Sequence, residues 1–584
     1  MRGLLTLFCL FAVTVNLAGA KWQIKASDKF TPEDARKISL SGVMPPGSKT
    51  VNIKDGTVYP LAKVTGRIKR GTKLRAIAAT VITVPDDCER YIGIGVSWFF
   101  TCFINGEEVL STEPGGNGFA RISAYNHITK VKLKKGKNHL TLFIRPFLYQ
   151  WKFAFRMIPE LKGVPHHPAD RQQMLSQLFP PANPGLLRKE LLHRVTEDSA
   201  AFCWEFGKPV ISGIRYRKSD APADQPPILR WNTRSGKRIV RNIHRVTLEE
   251  LSPDTGYSYE IVQLDTNTAK IKTVSSGSFK TFPATGVNHR FIAISDTQVA
   301  PETRMNAMKN MLALEEAQKA DFMVSLGDVT ENFTDFQSHY FDFYLNILHK
   351  KQFFKPVIPV KGNHEYRGND CEVYYDFFGR SYYAFRHGEV FYIVLDTGEG
   401  GNTVWAPSHH LLWTDTEQLF REQQKFLEKV ISSPACKNAR YRIVLAHASP
   451  FKLHAPFYAK SVRKLTEKFF FGTSPRCRID LWLCAHVHYA SRFDPVINTL
   501  YLATDAKYKA KYIDPADFSE IDFTVITNDG PGQGGEQLSV TAVEVTPDGL
   551  HVKIMTPEGK LLDEAVIQPG KPHRVLKTVL KKFK

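Results

Sequence analysis

The sequence predicts a multidomain chain in which two N-terminal all-β sandwiches precede an α/β domain built as a two-sheet sandwich. Three observations lead there. At 584 residues the chain is too long for one hydrophobic core, while 43% hydrophobic and 12% aromatic content are those of globular protein. Up to about residue 284, apolar stretches are punctuated by hairpin and turn signals. Beyond that, five short apolar runs each end in a side chain able to ligate a metal. Short apolar runs read as buried strands, and open α/β sheets gather ligands beyond the carboxyl ends of their strands.

The first twenty residues stand apart. Arg2 precedes an apolar stretch from Leu4 to about Val15, and Ala18, Gly19 and Ala20 form a small-residue cleavage site before Lys21. This pattern is a secretory signal peptide and implies export to a periplasmic or extracellular space. A membrane anchor is the alternative, but the apolar run falls short of the roughly 20 residues needed to span a bilayer. The sequence offers no other transmembrane segment. Removing Arg2 with the signal takes the formal charge from +20 to +19. Such a surface suits anionic ligands or simply keeps the chain soluble. No basic-aromatic motif for nucleic acid is present. Of eight cysteines Cys9 leaves with the signal, and Cys88 with Cys102 is the one disulfide pairing suggested.

Residues 21–163 read as an all-β module. Asn105-Gly106 between Ile104 and Glu107 is a two-residue hairpin signal, and strand alternation surrounds Lys135-Gly136. With Tyr91 to Gly95 and Trp151 to Phe153, this stretch resembles galactose-binding-like jelly rolls. Glycan binding is one consequence of that resemblance; a scaffold role is the other, and is preferred because fold does not fix function. A linker over 164–185 carries Pro165, Pro168, Pro180, Pro181 and Pro184. Residues 186–284 form a second β unit, with Trp204 in one strand and a turn at Pro253 before Tyr257 and Tyr259. It resembles the fibronectin type III sandwich that precedes the catalytic domain of purple acid phosphatases, and carries no residues for chemistry.

Residues 285–570 hold the five runs. Phe291 to Ser295 leads to Asp296, and Phe322 to Gly327 leads to Asp328. Pro356 to Gly362 leads to Asn363, His364 and Glu365. Arg442 to Ala446 leads to His447, and Ile479 to Ala485 leads to His486 and His488. Oxygen and nitrogen donors brought to one rim suit a pair of transition metals. A helix over 301–320 presents Met305, Met308 and Leu312, and one over 414–430 presents Leu419, Phe426 and Leu427. Late strands near 538–545, 550–554 and 565–567 are expected to complete the second sheet. The tail 571–584, with six basic residues, reads as a frayed terminus or a short amphipathic helix able to meet an anionic surface.

Asp-x-Gln, Gly-Asp-x-x-Glu, Gly-Asn-His-Glu, a lone strand-end His and Ala-His-x-His, in this order, resemble the calcineurin-like metallophosphoesterases. The resemblance implies two divalent or trivalent metal ions (Mn, Zn, Fe or Mg). It implies that Asp328 bridges them, that Asp296, Gln298 and His488 hold the first, and that Asn363, His447 and His486 hold the second. It further implies hydrolysis of phosphomonoesters by a metal-held hydroxide. His364, beside Asn363, is the candidate general acid; orienting a neighbour is its other reading. Glu365, Tyr366 and His339 are weaker candidates, expected to support the ligands, and His454 and His339 are candidate contacts for substrate. Three positions depart from the family pattern. Gln298 stands where much of the family has His, Glu331 where purple acid phosphatases have a Tyr ligand, and Ala485 where Gly is usual. A phosphodiesterase with the same metals is the alternative activity, and a glycan- or surface-binding protein with a lapsed metal site is the alternative of another class.

Overall fold

The computed structural model describes residues 20–583, apart from 69–71, 113–121, 125, 147–150, 159–184, 223, 265–269, 299–300, 330–347, 349–352, 368–370, 400–414, 452–455, 473–474, 504–514 and 529–537. The signal segment to residue 19 and nearly all of the Pro-rich linker lie outside the described residues. Two compact units divide the chain, Met1–Asp170 and Arg171–Lys584.

The first unit is an antiparallel sandwich of a six-stranded and a four-stranded sheet. Trp22 lies between them, meeting Phe153 and Phe155 edge-on at 5.1 and 5.4 Å. The Asn105-Gly106 turn has φ of 50° and 85°, the pair of positive values a type I′ hairpin needs, and joins Phe99–Ile104 to Glu107–Ser111. A helix over Pro32–Ser41, closed by a Thr31/Asp34 capping box, is an addition the β reading did not anticipate. Cys88 and Cys102 are both free, in strands of different sheets, which corrects the suggested disulfide. Cys102 is a buried apolar filler there, its thiol driven upward by burial.

In the second unit, residues Leu186–Lys280 form the expected β unit. Its longest strand, Ala200–Lys218, changes partners at an irregularity between Glu205 and Val210. The first half pairs with Leu186–His193 and Arg241–Leu248, the second with Ile228–Trp231 and Gly256–Leu264. Trp204 is buried, its Nε1 donating to Ser212 Oγ at 3.0 Å. The β unit and the α/β domain share a sheet, because His193 pairs in parallel with Val357.

The α/β domain has four layers. Parallel strands His289–Ile294, Phe322–Ser325 and Val357–Pro359 lie in one sheet, and Val390–Leu395, Tyr441–Ala446, Leu481–Cys484 and Thr524–Thr527 in the other. Phe291, Phe322, Phe385, Tyr392, Ile443 and Leu481 share the core that includes the sheets' inner residues. Each such side chain contributes about 1.5–3 kcal/mol by leaving water. Met308, Met311 and Leu312 cover the outer face of the first sheet, and Leu427 and Ile431 that of the second. The first helix spans Pro301–Ala313 and restarts at Glu315–Lys319 after extended Leu314, so the expected single helix is two. The second, Thr416–Ser432, is capped by Asp415 and buries Phe420, Gln423, Leu427 and Ile431, with Leu419 and Phe426 half-buried at the rim.

Two expectations are corrected. The late strands Val540–Thr546, Gly549–Met555 and Leu561–Ile567 extend the first sheet, through antiparallel pairing with His289–Ile294, and do not complete the second. The basic tail neither frays nor coils. Arg574–Thr578 pairs with Leu561–Ile567, and Lys581–Lys582 pairs with Thr499–Leu502 of the second sheet. The β-branched Val575, Thr578 and Val579 favour extended chain once an open sheet edge is offered. Its lysines then charge that edge, a feature that discourages further strand addition.

Candidate metal centre

Parallel strands put their carboxyl ends on one side, and that side collects the ligand-type residues. Among the described residues, four of the ten non-glycine positions at positive φ lie there: Asp296, Asp328, His486 and His488, at 49°, 52°, 74° and 56°. Such conformations cost on the order of 1 kcal/mol or more each. They turn the chain at the strand end so that successive side chains enter the crevice. The glycines of the motifs are needed for close approach. A Cβ on Gly327 would stand 2.5 Å from Gly362 N, and one on Gly362 would stand 2.4 Å from Asp328 N.

An inner group is formed by Asp328, Asn363, His447 and His486. The Asn363 side-chain amide reaches His447 Nε2 at 3.1 Å, Asp328 Oδ2 at 3.2 Å and His486 Nδ1 at 2.8 Å. Without an ion its nitrogen fits that position, donating to them while its oxygen accepts from Arg367 Nη2 at 2.7 Å; with an ion the amide turns its oxygen inward. His447 Nδ1 donates to the Leu326 carbonyl at 2.7 Å, which turns Nε2 toward Asp328 Oδ2 at 3.1 Å. Donor atoms of Asp328, His447 and His486 all lie within 4.8 Å of one another. Ligand-type atoms crowded this closely around a buried carboxylate call for positive charge, which protonated His447 supplies without a metal and a bound cation would supply in its place. Burial opposes the charge on Asp328, but His447, His364 and His486 hold its carboxyl well below the usual range. Burial likewise lowers His447, and the Asp328 carboxylate overrides it, taking the imidazole up to about 10.

An outer group is formed by Asp296, Gln298 and His488. Asp296 Oδ2 accepts from His486 N at 3.1 Å. Its other oxygen, Oδ1, has no hydrogen-bond donor and lies 3.5 Å from His488 Nε2. Gln298 Oε1 is also buried without a partner, while its Nε2 is 3.4 Å from His488 Nε2. Asp296 Oδ1 and the Gln298 amide each approach His488 Nε2, and two orphaned buried oxygens beside an imidazole are a donor set that suits a second ion.

Glu365 supports the inner group from behind. Its carboxylate accepts from Asp328 N at 2.9 Å, Val329 N at 2.8 Å and Gly362 N at 2.8 Å. It thereby ties the Asp328 loop to the Asn363 loop. Burial and the neighbouring Asp328 charge raise its carboxyl to about 7. Tyr366 instead donates its hydroxyl to Asp396 at 2.6 Å, outside the inner group.

His364 lies at the rim. Its backbone N–H donates to Asp328 Oδ1 at 2.8 Å, and its ring Nε2 is 3.7 Å from Asp328 Oδ2. Arg367 Nη1 lies 2.8 Å from that ring nitrogen, and Arg367 in turn pairs with buried Glu399 at 2.9 Å. Arg367 and Glu399 were not read from the sequence. Arg367 had a signal, a cation three residues beyond His364 on the turn His364–Tyr366; Glu399, distant in the chain, had none. His339, His454 and Glu331 lie outside the described residues.

Residues 289–490 match the family model of calcineurin-like phosphoesterases. No curated protein matches the sequence. Among solved structures, the chain is similar to a purple acid phosphatase from yellow lupin seeds, with 14% identity, TM-score 0.42, 84% of this chain and 92% of that one covered. It is also similar to a dimetal phosphatase from Danio rerio, with 12% identity, TM-score 0.31, and 47% and 98% covered. A third is GAP50, the anchor in the inner membrane complex of Plasmodium, with 12% identity, TM-score 0.31, and 49% and 90% covered. The five strand-end motifs, the crevice they line and the family match coincide on the same residues: the chain carries a calcineurin-like phosphoesterase domain.

Proposed function

We propose that this protein is an exported, dinuclear metal-dependent phosphohydrolase acting on phosphomonoesters. Asp296, Gln298 and His488 would hold one ion, Asn363, His447 and His486 the other, with Asp328 shared. The single observation that carries the reading is the convergence of ligand atoms of Asp328, His447 and His486 within 4.8 Å of one another at the strand ends, with the Asn363 amide beside them. When bound, a metal pair neutralises phosphate charge and makes water acidic enough to supply a nucleophile near neutral pH.

The chain's own residues supply the rest. Asp328 accepts from His364 N, so the shared carboxylate and the proposed acid are fixed to one another. His364, 13% exposed at its side chain, can reach a substrate and protonate the departing alkoxide. Arg367 adds a fixed positive charge beside it, held in place by Glu399, and suits the anionic oxygens of a phosphate. Export is carried by the stretch ending at Ala20, and an N-terminus at Lys21 in secreted protein would support it.

The test is metal content of the purified protein together with a panel of mono- and diesters. About two ions per chain, activity abolished by chelation and preference for monoesters are expected. Preference for diesters would move the assignment to a phosphodiesterase. No bound metal and no turnover after adding Mn, Zn, Fe or Mg would overturn the enzymatic reading.

A further inference from the structure

Away from the metal centre, two cysteines face each other at the opposite ends of the ligand-bearing strands. Cys436 Sγ and Cys477 Sγ are 3.8 Å apart and both residues are buried. Backbone contacts hold each in position. Cys436 sits in the short helix Pro434–Lys437, where its N–H donates to Ser433 Oγ at 3.2 Å. Arg442 donates to the carbonyls of Cys436 and Lys437 at 2.8 and 2.6 Å. Cys477 N donates to Phe469 O at 2.9 Å. The other buried thiols are differently placed: Cys484 lies 3.6 Å from the Thr527 hydroxyl, and Cys102 and Cys203 sit among apolar side chains.

We propose that Cys436 and Cys477 form an intrachain disulfide that ties the roots of two neighbouring strands of the catalytic domain. A disulfide needs its sulfurs about 2.05 Å apart, a closure of less than 2 Å from the thiol positions. The oxidant is a small-molecule disulfide, with glutathione disulfide as the probe. The Cys436 thiolate attacks one glutathione sulfur and expels one glutathione thiolate. Cys477, losing its proton, then attacks Cys436 Sγ and expels the second. One S–S bond is broken and one formed; two electrons and two protons end on two glutathione molecules. Cys436 is suited to attack first. The hydrogen bond from Cys477 lowers its thiol to about 7 against the opposing effect of burial, and Arg442 adds to that.

The placement has a consequence for the site. Cys436 shortly precedes Tyr441–Ala446, which ends at His447; Cys477 precedes Leu481–Cys484, which ends at His486 and His488. The two strands pair in parallel, Ile443 with Leu481 and Leu445 with Leu483. A bond at their roots restrains register at their far ends, where three imidazoles must converge. Because both sulfurs are buried, the bond closes during folding and resists reductant afterwards.

The experiment is differential alkylation in denaturant, without reductant, of full-length protein folded in a glutathione/glutathione disulfide buffer. Mass mapping should find the Cys436 and Cys477 peptides joined, and Cys88, Cys102, Cys203, Cys371 and Cys484 alkylated. Alkylation of both Cys436 and Cys477, or either one joined to a different cysteine, overturns the proposal; wild-type protein alone decides this. The joined protein should also unfold several degrees above both the reduced protein and a C436S/C477S variant. Equal Tm values for all three would overturn the bond's role as a tie between strands.

Discussion

The two halves of the proposed metal centre are built to different standards. In the inner half, Asp328, Asn363 and His447 are each 1% exposed or less. Two of them are fixed by neighbours: Glu365 holds the Asp328 loop, and the Leu326 carbonyl holds the His447 ring. In the outer half, the His488 side chain is 23% exposed, and its approaches to Gln298 and Asp296 are 3.4 and 3.5 Å. Donors already held in place lose little entropy on binding, whereas loosely held ones must be ordered by the ion. In the proposed centre, one position would then be rigid and its neighbour adjustable, with Asp328 shared between them.

The largest effect should come from removing that coupling. Asp328→Ala should abolish metal at both positions and reduce activity to background, since in the proposed centre the carboxylate would serve both halves, and it anchors His364 N. Metal analysis of the variant checks this. Full occupancy at one position would show that the halves are independent, and the shared role would be wrong.

Next is His364→Ala, which should leave metal content near normal while slowing hydrolysis of alkyl phosphates by about 10²–10⁴-fold, the range for a lost proton donor. The loss should shrink for nitrophenyl phosphate, whose leaving group departs without a proton. An equal loss on both substrates would make His364 a positioning residue, in keeping with its contacts to Asp328 and Arg367.

How much of this was legible in sequence depends on what each residue has to satisfy. Asp296, Asp328, Asn363, His447, His486 and His488 were readable because each ends a short apolar run, and parallel pairing brings such ends together. The β units were readable through their turns: Asn105-Gly106 announces a backbone at positive φ that few other pairs accept. The tail was misread because its helical spacing of Val575, Leu576 and Val579 is a local property, whereas the open edges beside Leu561–Ile567 and Thr499–Leu502 are created by distant strands. The same holds for the late strands, whose sheet is decided by pairing with His289–Ile294 and not by their own composition. Arg367 and Glu399 form a pair across 32 residues, a contact that no local pattern carries.

A smaller effect is expected behind the inner half. Glu365→Gln replaces a carboxylate that accepts three backbone N–H groups with an amide that presents an N–H of its own to them. The Asp328 and Asn363 loops should part slightly, weakening inner metal affinity by about 10–100-fold, as losses of supporting contacts commonly do. Competition with a chromophoric chelator measures this. The outer affinity should fall less; an equal fall would mean that Glu365 acts on the whole crevice.

The smallest effect, and the sharpest test of the comparison, is Gln298→His. An amide oxygen is a harder and weaker donor than imidazole, so the outer ion should bind about tenfold tighter in the variant and shift toward Zn. Gln298 Oε1 is buried without a partner and its Nε2 faces His488, so an imidazole there would direct a lone pair at the same point. The inner ion should be affected much less, because the contact recorded for Gln298 is to His488 of the outer group. Titration of the variant with the inner position already filled separates the two. A tighter outer ion with unchanged inner affinity would identify the weak donor as the reason the halves differ. Unchanged outer affinity would show that Gln298 does not face the metal, and the looseness of that half would then belong to the exposure of His488 instead.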